Sequence, residues 1–505
     1  MAGETEEGWL GCRVPEYARR KPDAPAILAA DETVSWGDFA RRVLGAAADF
    51  HAQGVVPGTT AAILLRDRPQ DLVALFALQR LGAATLCLDP DEPPALSAAL
   101  AERAGARFLV ADRDDPVPPG LAAVAMADTR PQDDPPLPPP PGLDMVSFVS
   151  RSSGTTGGIP KLSTATFRLA LLRGRGLLER FRRGEDDRYL KLVRIAFSFG
   201  RNAATRALEN GGTILLPPPF RDAGGLTAYA ARTGATWTAL TPVHLRDLAA
   251  ADAPAPILPG VRILCSTAAL SPTEIRRIRE RVSAGLHVGY GTNEVGGLTL
   301  ALPGDLDERP ESVGRVLAGV TVEVVDADGA PLPAGRVGEL RFRRPEFPTG
   351  YVDPAPGSSS RFAGGWYYPG DVGMLDADGY VFLKGRLDDV INVGGRKLYP
   401  ADIEAQLARH PAVAEAAAVG VATAREGMIA VAVAVLRRPC PPEELLRHCR
   451  AGLGPAHSPH AVVVADALPR TPLGKIDRVA IAGAIKLEPP RPAGRGRRPA
   501  GQATP

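Results

Sequence analysis

The chain has 505 residues, 45% of them apolar, and a formal net charge of +2 at pH 7. That length exceeds what one hydrophobic core usually supports, so at least two domains are expected, and the balanced charge supplies no basic surface for nucleic acid or an anionic membrane outside the extreme carboxyl-terminal tail. Cys12, Cys87, Cys265, Cys440 and Cys449 are odd in number, scattered and without C-x-x-C spacing, which argues against a disulfide or zinc framework and suits a reducing compartment.

The first residues are acidic and lack the apolar core of a secretory signal, and no uncharged run approaches the ~20 residues of a membrane span. A soluble, cytoplasmic protein is expected. Trp36, Phe39, Val43, Ala47 and Phe50 recur at helical spacing, and Ser35 followed by Asp38 forms a helix-start signal. Residues 60–65, 84–88 and 108–110 read as buried strands, and 70–81 and 94–104 as helices. Such alternation builds a layered α/β fold with a largely parallel sheet. Residues 116–141 are proline-rich and read as an extended surface connection, or as a ligand for a partner domain.

After the apolar run at 145–149 comes Ser150-Arg-Ser-Ser-Gly-Thr-Thr-Gly-Gly-Ile-Pro-Lys161. Gly154, Gly157 and Gly158 let the backbone bring N–H groups close to an anion, Ser152, Ser153, Thr155 and Thr156 add hydroxyl donors, and Lys161 adds charge. The stretch reads as a phosphate loop. It is not a Walker A loop, because Ile159 stands where G-x-x-x-x-G-K-S/T needs its second glycine and Leu162 follows the lysine. Residues 163–181 have a helical pattern, which would place the loop at a helix terminus whose dipole favours an anion. Residues 212–216, 236–240 and 261–265 read as further strands. The alternation of Val320, Val322 and Val324 ahead of Asp326-Ala-Asp-Gly329 predicts a hairpin, and Asp376-Ala-Asp-Gly379 repeats that signature.

Four stretches in this order carry a resemblance: the loop at 150–161, Gly289-Tyr-Gly-Thr-Asn-Glu294, Gly365-Trp-Tyr-Tyr-Pro-Gly-Asp371 running on to Lys384-Gly-Arg-Leu-Asp-Asp389, and Pro469-Arg-Thr-Pro-Leu-Gly-Lys475. Together they resemble the adenylate-forming superfamily of acyl-CoA synthetases, peptide-synthetase adenylation domains and luciferases, over residues 15–485. The resemblance implies an α/β fold. A large N-terminal domain of layered α/β sheets with a β-rich subdomain, 1–385, would hold ATP and the acyl group. A small mobile α+β domain would follow at 386–485, and 486–505 reads as a disordered tail.

The activity implied is attack by a carboxylate on the α-phosphate of ATP, giving an acyl-adenylate and pyrophosphate, then transfer to a pantetheine thiol. By the resemblance, Ser153, Gly154, Thr155, Thr156, Gly157 and Lys161 hold the outer phosphates, although this loop carries one residue more than the usual pattern before Pro160-Lys161. Glu294 matches the glutamate that ligates Mg2+, Tyr290 with Gly291 matches the aromatic segment against adenine, and Asn293 stands where threonine is usual, its amide able to donate to the α-phosphate. Asp371 matches the aspartate that accepts from both ribose hydroxyls, and Arg386 an arginine that faces the nucleotide. Lys475 matches the lysine that bridges the substrate carboxylate and the α-phosphate. Asp388 matches the hinge, and Gly394 and Gly395 the loop lining the pantetheine tunnel.

The acyl pocket implied is lined by Phe197, Ser198, Thr267, Ala268 and Gly289. In α-amino-acid adenylation domains the position of Ser198 is an aspartate that pairs with the ammonium group; without it an α-amino acid would bury its charge unpaired, at a cost of about several kcal/mol. An aryl or short-to-medium acyl acid without an α-ammonium group is therefore expected. Arg194 and Arg201 read as solvated, with recognition of a second acidic or polar group as the alternative. The chain has no carrier segment with a modifiable Gly-Gly-x-Ser, so the acceptor is coenzyme A or a separate phosphopantetheinyl carrier protein. Two other readings are a stand-alone acyl-AMP ligase serving such a carrier and a non-catalytic nucleotide-binding sensor or scaffold. The second has no chemical need for Lys161, Glu294, Asp371, Arg386 and Lys475 together.

Overall fold

The computed structural model describes residues 13–126, 131–156, 159–172, 181, 184–352, 361–394, 396–423, 427–470 and 476–485. The chain forms two compact units, divided after Asp388, whereas the sequence motif alone places the division after Gly385.

The first unit contains two large sheets. One runs in the order Ala122–Ala125, Phe108–Ala111, Thr60–Leu64, Ala84–Leu88, Val146–Thr156, Ile159–Thr166. Its first five strands are parallel and the last is antiparallel. The expected α/β alternation is present here. Trp36–Ala52 is a helix capped by Ser35, whose Oγ accepts from the Asp38 N–H at 3.2 Å. Its apolar stripe, with Trp36 and Phe39 both at 0% exposure, packs into the core.

Two expectations fail in this region. The proline-rich segment is not only a surface connection, because Ala122–Ala125 adds a parallel edge strand beside Phe108–Ala111. Nor does the phosphate loop open onto a helix. Val146–Thr156 and Ile159–Thr166 form an antiparallel hairpin, and helical backbone begins only at Phe167. The reason is burial on both faces: Leu162, Ser163 and Ala165 are all buried, so apolar spacing there cannot separate a strand from a helix. The anion-binding contribution expected from a helix dipole is absent at this position.

The second sheet joins two kinds of strand. Pro25–Leu28, Thr213–Leu215, Arg188–Leu190, Trp237–Leu240, Arg262–Cys265 and the start of Leu286–Thr292 lie parallel in that order. Their near-continuous apolar sequences fit a sheet covered on both sides. Gly296–Ala301, Ser312–Val316, Tyr380–Arg386, Asp371–Leu375 and Val337–Arg343 continue it antiparallel. Thr321–Val325 pairs with Val337–Arg343, and Asp326 and Gly329 close the predicted tight turn.

In the second unit, Val413–Thr423, Gly427–Leu436 and Ala461–Val464 make a three-stranded sheet. Helices Pro400–Ala408 and Pro442–Leu453 share its core through Leu407, Leu445 and Cys449. Ile391–Val393 and Arg396–Leu398 form a separate hairpin. Among the described residues, Cys87, Cys265, Cys440 and Cys449 are free thiols, and no helix is long and apolar enough to cross a membrane.

Candidate active site

The motif residues of the first unit converge because of how its strands pair. Asp371–Leu375 and Tyr380–Arg386 are joined by the Asp376–Gly379 turn, and their register sets Asp371 directly opposite Arg386. A bulge at Lys384 adds one residue to the second strand, so the face carrying Val381 and Leu383 continues into Arg386 rather than Gly385. Gly385 has φ +126°, a conformation that L side chains rarely adopt. Asp371 Oδ1 accepts from Arg386 Nη1 at 3.1 Å, and Oδ2 accepts from the Tyr290 hydroxyl at 2.5 Å. Burial pushes the Asp371 carboxyl above the usual range, although Arg386 and Tyr290 both pull it down. Burial, then the neighbouring Asp371, push the Tyr290 phenol well above its ordinary value, so it stays a donor. Each Asp371 oxygen has engaged one lone pair, leaving one on each for a further donor.

Tyr290 lies on Leu286–Thr292, which turns back through residues 293–295 into Gly296–Ala301. A Cβ on Gly291 would lie 2.3 Å from the Gly296 carbonyl oxygen, so the close approach of these strands requires glycine. In the turn, the Asn293 amide donates to the Arg151 carbonyl at 2.7 Å, tying Glu294 to the base of the 150–161 hairpin. That bond occupies part of the amide expected to meet the α-phosphate.

Tyr351 completes the arrangement, and no sequence pattern marks it. Its backbone bridges Ser163, and the Val352 N–H donates to the Leu162 carbonyl at 2.8 Å. Its hydroxyl donates to Glu294 Oε1 at 3.0 Å, and Lys161 Nζ lies 5.3 Å from its ring centroid. One aromatic side chain thus holds the lysine of one motif beside the glutamate of another. Tyr367 does similar work, its hydroxyl donating to Thr292 Oγ1 at 3.0 Å. Of the other loop positions, Ser153, Gly154, Thr155 and Thr156 lie on the first strand of the hairpin as backbone; their side chains, and Gly157, fall outside the described residues.

The acyl-pocket positions follow the carboxyl ends of the parallel strands, the edge where open α/β sheets bind ligands. Gly289 comes just beyond the parallel pairing of Cys265 with Val288, and Thr267 and Ala268 follow Arg262–Cys265. Thr267 sits at φ +88°, strained for a β-branched residue, and such strain concentrates at functional turns. Phe197 and Ser198 open helix Ser198–Glu209, and a Cβ on Gly200 would lie 2.3 Å from the Arg194 carbonyl. Arg194 and Arg201 are not simply solvated. Arg194 pairs with Asp89 and Asp91 at 2.9 and 2.6 Å, and Arg201 is 4% exposed.

In the second unit, Gly394 has φ +57° at the tip of its hairpin, and Gly395 lies outside the described residues. Lys475 also lies outside them, but its flanks are joined by a bridge between Arg470 and Ile476.

The AMP-binding enzyme family profile matches residues 14–352, and that of the AMP-binding enzyme C-terminal domain matches 402–475. The chain belongs to the AMP-binding enzyme family. This family member is 30% identical over 507 residues to the sulfoacetate–CoA ligase of Cupriavidus necator, covering 93% of this chain and 96% of that one. It is 32% identical over 508 residues to the salicyl-AMP ligase / salicyl-S-ArCP synthetase of Mycobacterium tuberculosis, covering 92% and 89%. Its fold matches the amide bond synthetase McbA from Marinactinospora thermotolerans with a TM-score of 0.81 at 26% identity, over 93% of this chain and 99% of that one.

In this AMP-binding enzyme Tyr351 gives a direct test of the site. A hydrogen bond to an ionised group contributes about 1.5–3 kcal/mol. Tyr351→Phe is expected to lower acid-dependent pyrophosphate exchange at least ~tenfold, and Tyr351→Ala, which also removes the ring beneath Lys161, to lower it further. Equal exchange in Tyr351→Phe and the parent protein would show that the Glu294 contact is structural only.

Proposed function

We propose that this enzyme activates a carboxylic acid with ATP and passes the acyl group to the pantetheine thiol of coenzyme A. In the first half-reaction a carboxylate oxygen bonds to the α-phosphorus and the bond to the bridging oxygen breaks, releasing pyrophosphate. In the second, the thiol sulfur bonds to the acyl carbon, its proton is lost and AMP leaves. The observation that carries this reading is the convergence of Asp371, Arg386, Glu294 and Lys161 through Tyr290 and Tyr351.

The residues present fit the substrates. Asp371 keeps one lone pair on each oxygen for the paired ribose hydroxyls. Glu294 is 8% exposed, and its hard carboxylate oxygens suit Mg2+. That ion would supply charge neutralisation at the phosphates. Lys161 and Arg386 place positive charge where two anions must meet. In the mobile second domain, Lys475 serves the first half-reaction and the Gly394–Gly395 loop the second. The free thiols of Cys87, Cys265, Cys440 and Cys449 suit a reducing, cytoplasmic setting.

A second acceptor is favoured by one observation, the 32% identity to the protein named salicyl-AMP ligase / salicyl-S-ArCP synthetase. On that reading the enzyme serves a separate phosphopantetheinyl carrier. Pyrophosphate exchange across a panel of aryl and short-to-medium acyl acids tests activation. Adding coenzyme A or a phosphopantetheinylated carrier then distinguishes the acceptors. Lack of exchange with every acid overturns the reading.

On the sequence alone, Ser198→Asp would shift preference toward α-amino acids. The structure revises that expectation, because Arg201 Nη2 lies 3.3 Å from Ser198 Oγ and would pair with the introduced carboxylate before any ammonium group did.

A further inference from the structure

Arg201 stands apart from the arginines around it. Arg151 pairs with Glu92 at 2.7 Å, Arg194 with Asp89 and Asp91, and Arg206 with Glu209 at 2.6 Å. Arg201 is buried in the first turn of helix Ser198–Glu209, and no carboxylate among the described residues pairs with it. Its Nε is buried without a hydrogen-bond partner, and its Nη2 donates to Ser198 Oγ. The guanidinium carbon lies 5.0 Å from the Phe148 ring centroid, which offsets part of the desolvation. The neighbouring Cys87 thiol, pushed up by burial against the pull of Arg201, supplies no counter-charge.

A buried cation without an anion is costly, and the cost persists only where something offsets it. The Ser198 end of this helix adds positive character beside Arg201. Phe197 at the N-cap offers no side-chain acceptor, so the first-turn N–H groups have no side-chain cap. Ser198 is only partly buried, and the 12-residue helix points its positive end there. The helix begins beyond the carboxyl end of Arg188–Leu190, a strand of the same sheet as Arg262–Cys265, which Thr267 follows, and Leu286–Thr292, which carries Gly289.

We propose that the acid activated by this enzyme carries a second anionic group, a carboxylate or sulfonate, and that Arg201 and Ser198 at the start of helix Ser198–Glu209 recognise it. The proposal rests on the adenylation reading above and narrows its substrate class. A planar fork that meets Ser198 Oγ, reaches the Cys87 thiol and keeps its buried Nε–H without a partner suits an anion with more than one oxygen.

The test is pyrophosphate exchange with matched pairs: malonate, succinate and isophthalate, each against its half-amide, and sulfoacetate against methylsulfonylacetate. The wild-type enzyme is expected to prefer at least one dianion over its neutral partner by ~tenfold or more in kcat/KM, since a site built for a polar group discriminates strongly against its loss. In Arg201→Met that ratio is expected to fall at least ~tenfold, and in Ser198→Ala to fall by a smaller factor. A thermal shift by the preferred dianion without nucleotide should be present in the wild type and lost in Arg201→Met. Where Arg201→Met does not fold, the wild-type ratio and Ser198→Ala decide. Exchange with no dianionic preference overturns the inference and leaves adenylation standing, as does a ratio unchanged by Arg201→Met; Arg201 is then a structural cation over Phe148. Absence of exchange with every acid overturns the adenylation reading, and the inference with it.

Discussion

Replacing Lys475 by alanine is expected to lower acid-dependent pyrophosphate exchange by roughly two to three orders of magnitude while leaving ATP affinity nearly intact. A positioned charge donor aimed at a developing anion contributes ~3–4 kcal/mol of barrier, and each ~1.4 kcal/mol is tenfold in rate. On the proposed reading, ground-state nucleotide binding rests instead on Asp371 and Arg386, an ion pair at 3.1 Å within the first unit that the mutation does not touch. The charge matters most when the α-phosphate carries five oxygens, so the loss falls on kcat rather than on binding. Exchange at the wild-type rate would remove Lys475 from the reaction, and loss of ATP binding in equal measure would make it a ground-state contact.

Asp388→Pro is expected to separate the two half-reactions. Asp388 lies in the 3-10 turn Leu387–Asp389, immediately before the division between the compact units, and its side chain is 77% exposed. Its contact is an ion pair with Arg361 at 3.5 Å, so the substitution disturbs no packed core. A pivot must visit two φ/ψ wells, and proline holds φ near about −65° and removes one of them. Acyl-adenylate formation should persist while transfer to coenzyme A or carrier slows at least ~tenfold. Asp388→Ala, which removes the Arg361 pair but keeps φ free, should preserve the ratio of the two rates. Pyrophosphate release and thioester formation are measured separately on one preparation; rates that fall in parallel place the pivot elsewhere.

Local signals in the sequence decided much of this fold and part of the site. Ser35 and Asp38 mark a helix start that the structure keeps, and Asp376–Gly379 marks the turn that brings Asp371 opposite Arg386. Both depend on residues a few positions apart. The 163–181 segment misled because burial on two faces erases the difference between helical and strand periodicity. Tyr351 was invisible for another reason: its importance lies wholly in partners 57 and 190 residues away, Glu294 and Lys161. Arg201 looked like an ordinary surface arginine because arginine is seldom buried, and only the three-dimensional packing of Phe148 against it reveals the exception.

The bulge at Lys384 bears on any attempt to move this site to another scaffold. Strict alternation from the Asp376–Gly379 turn would bring Gly385 opposite Asp371 and send the guanidinium to the opposite side of the sheet; the bulge changes the parity of the strand once, near its end. The face that begins with Val381 buried in the core can therefore end in a charged pair. A hairpin transplanted with its turn and its two functional residues, but aligned on regular strands, would carry every recognisable letter of the motif and none of its geometry. Design of a hairpin that presents this carboxylate–guanidinium pair has to count residues as well as choose them.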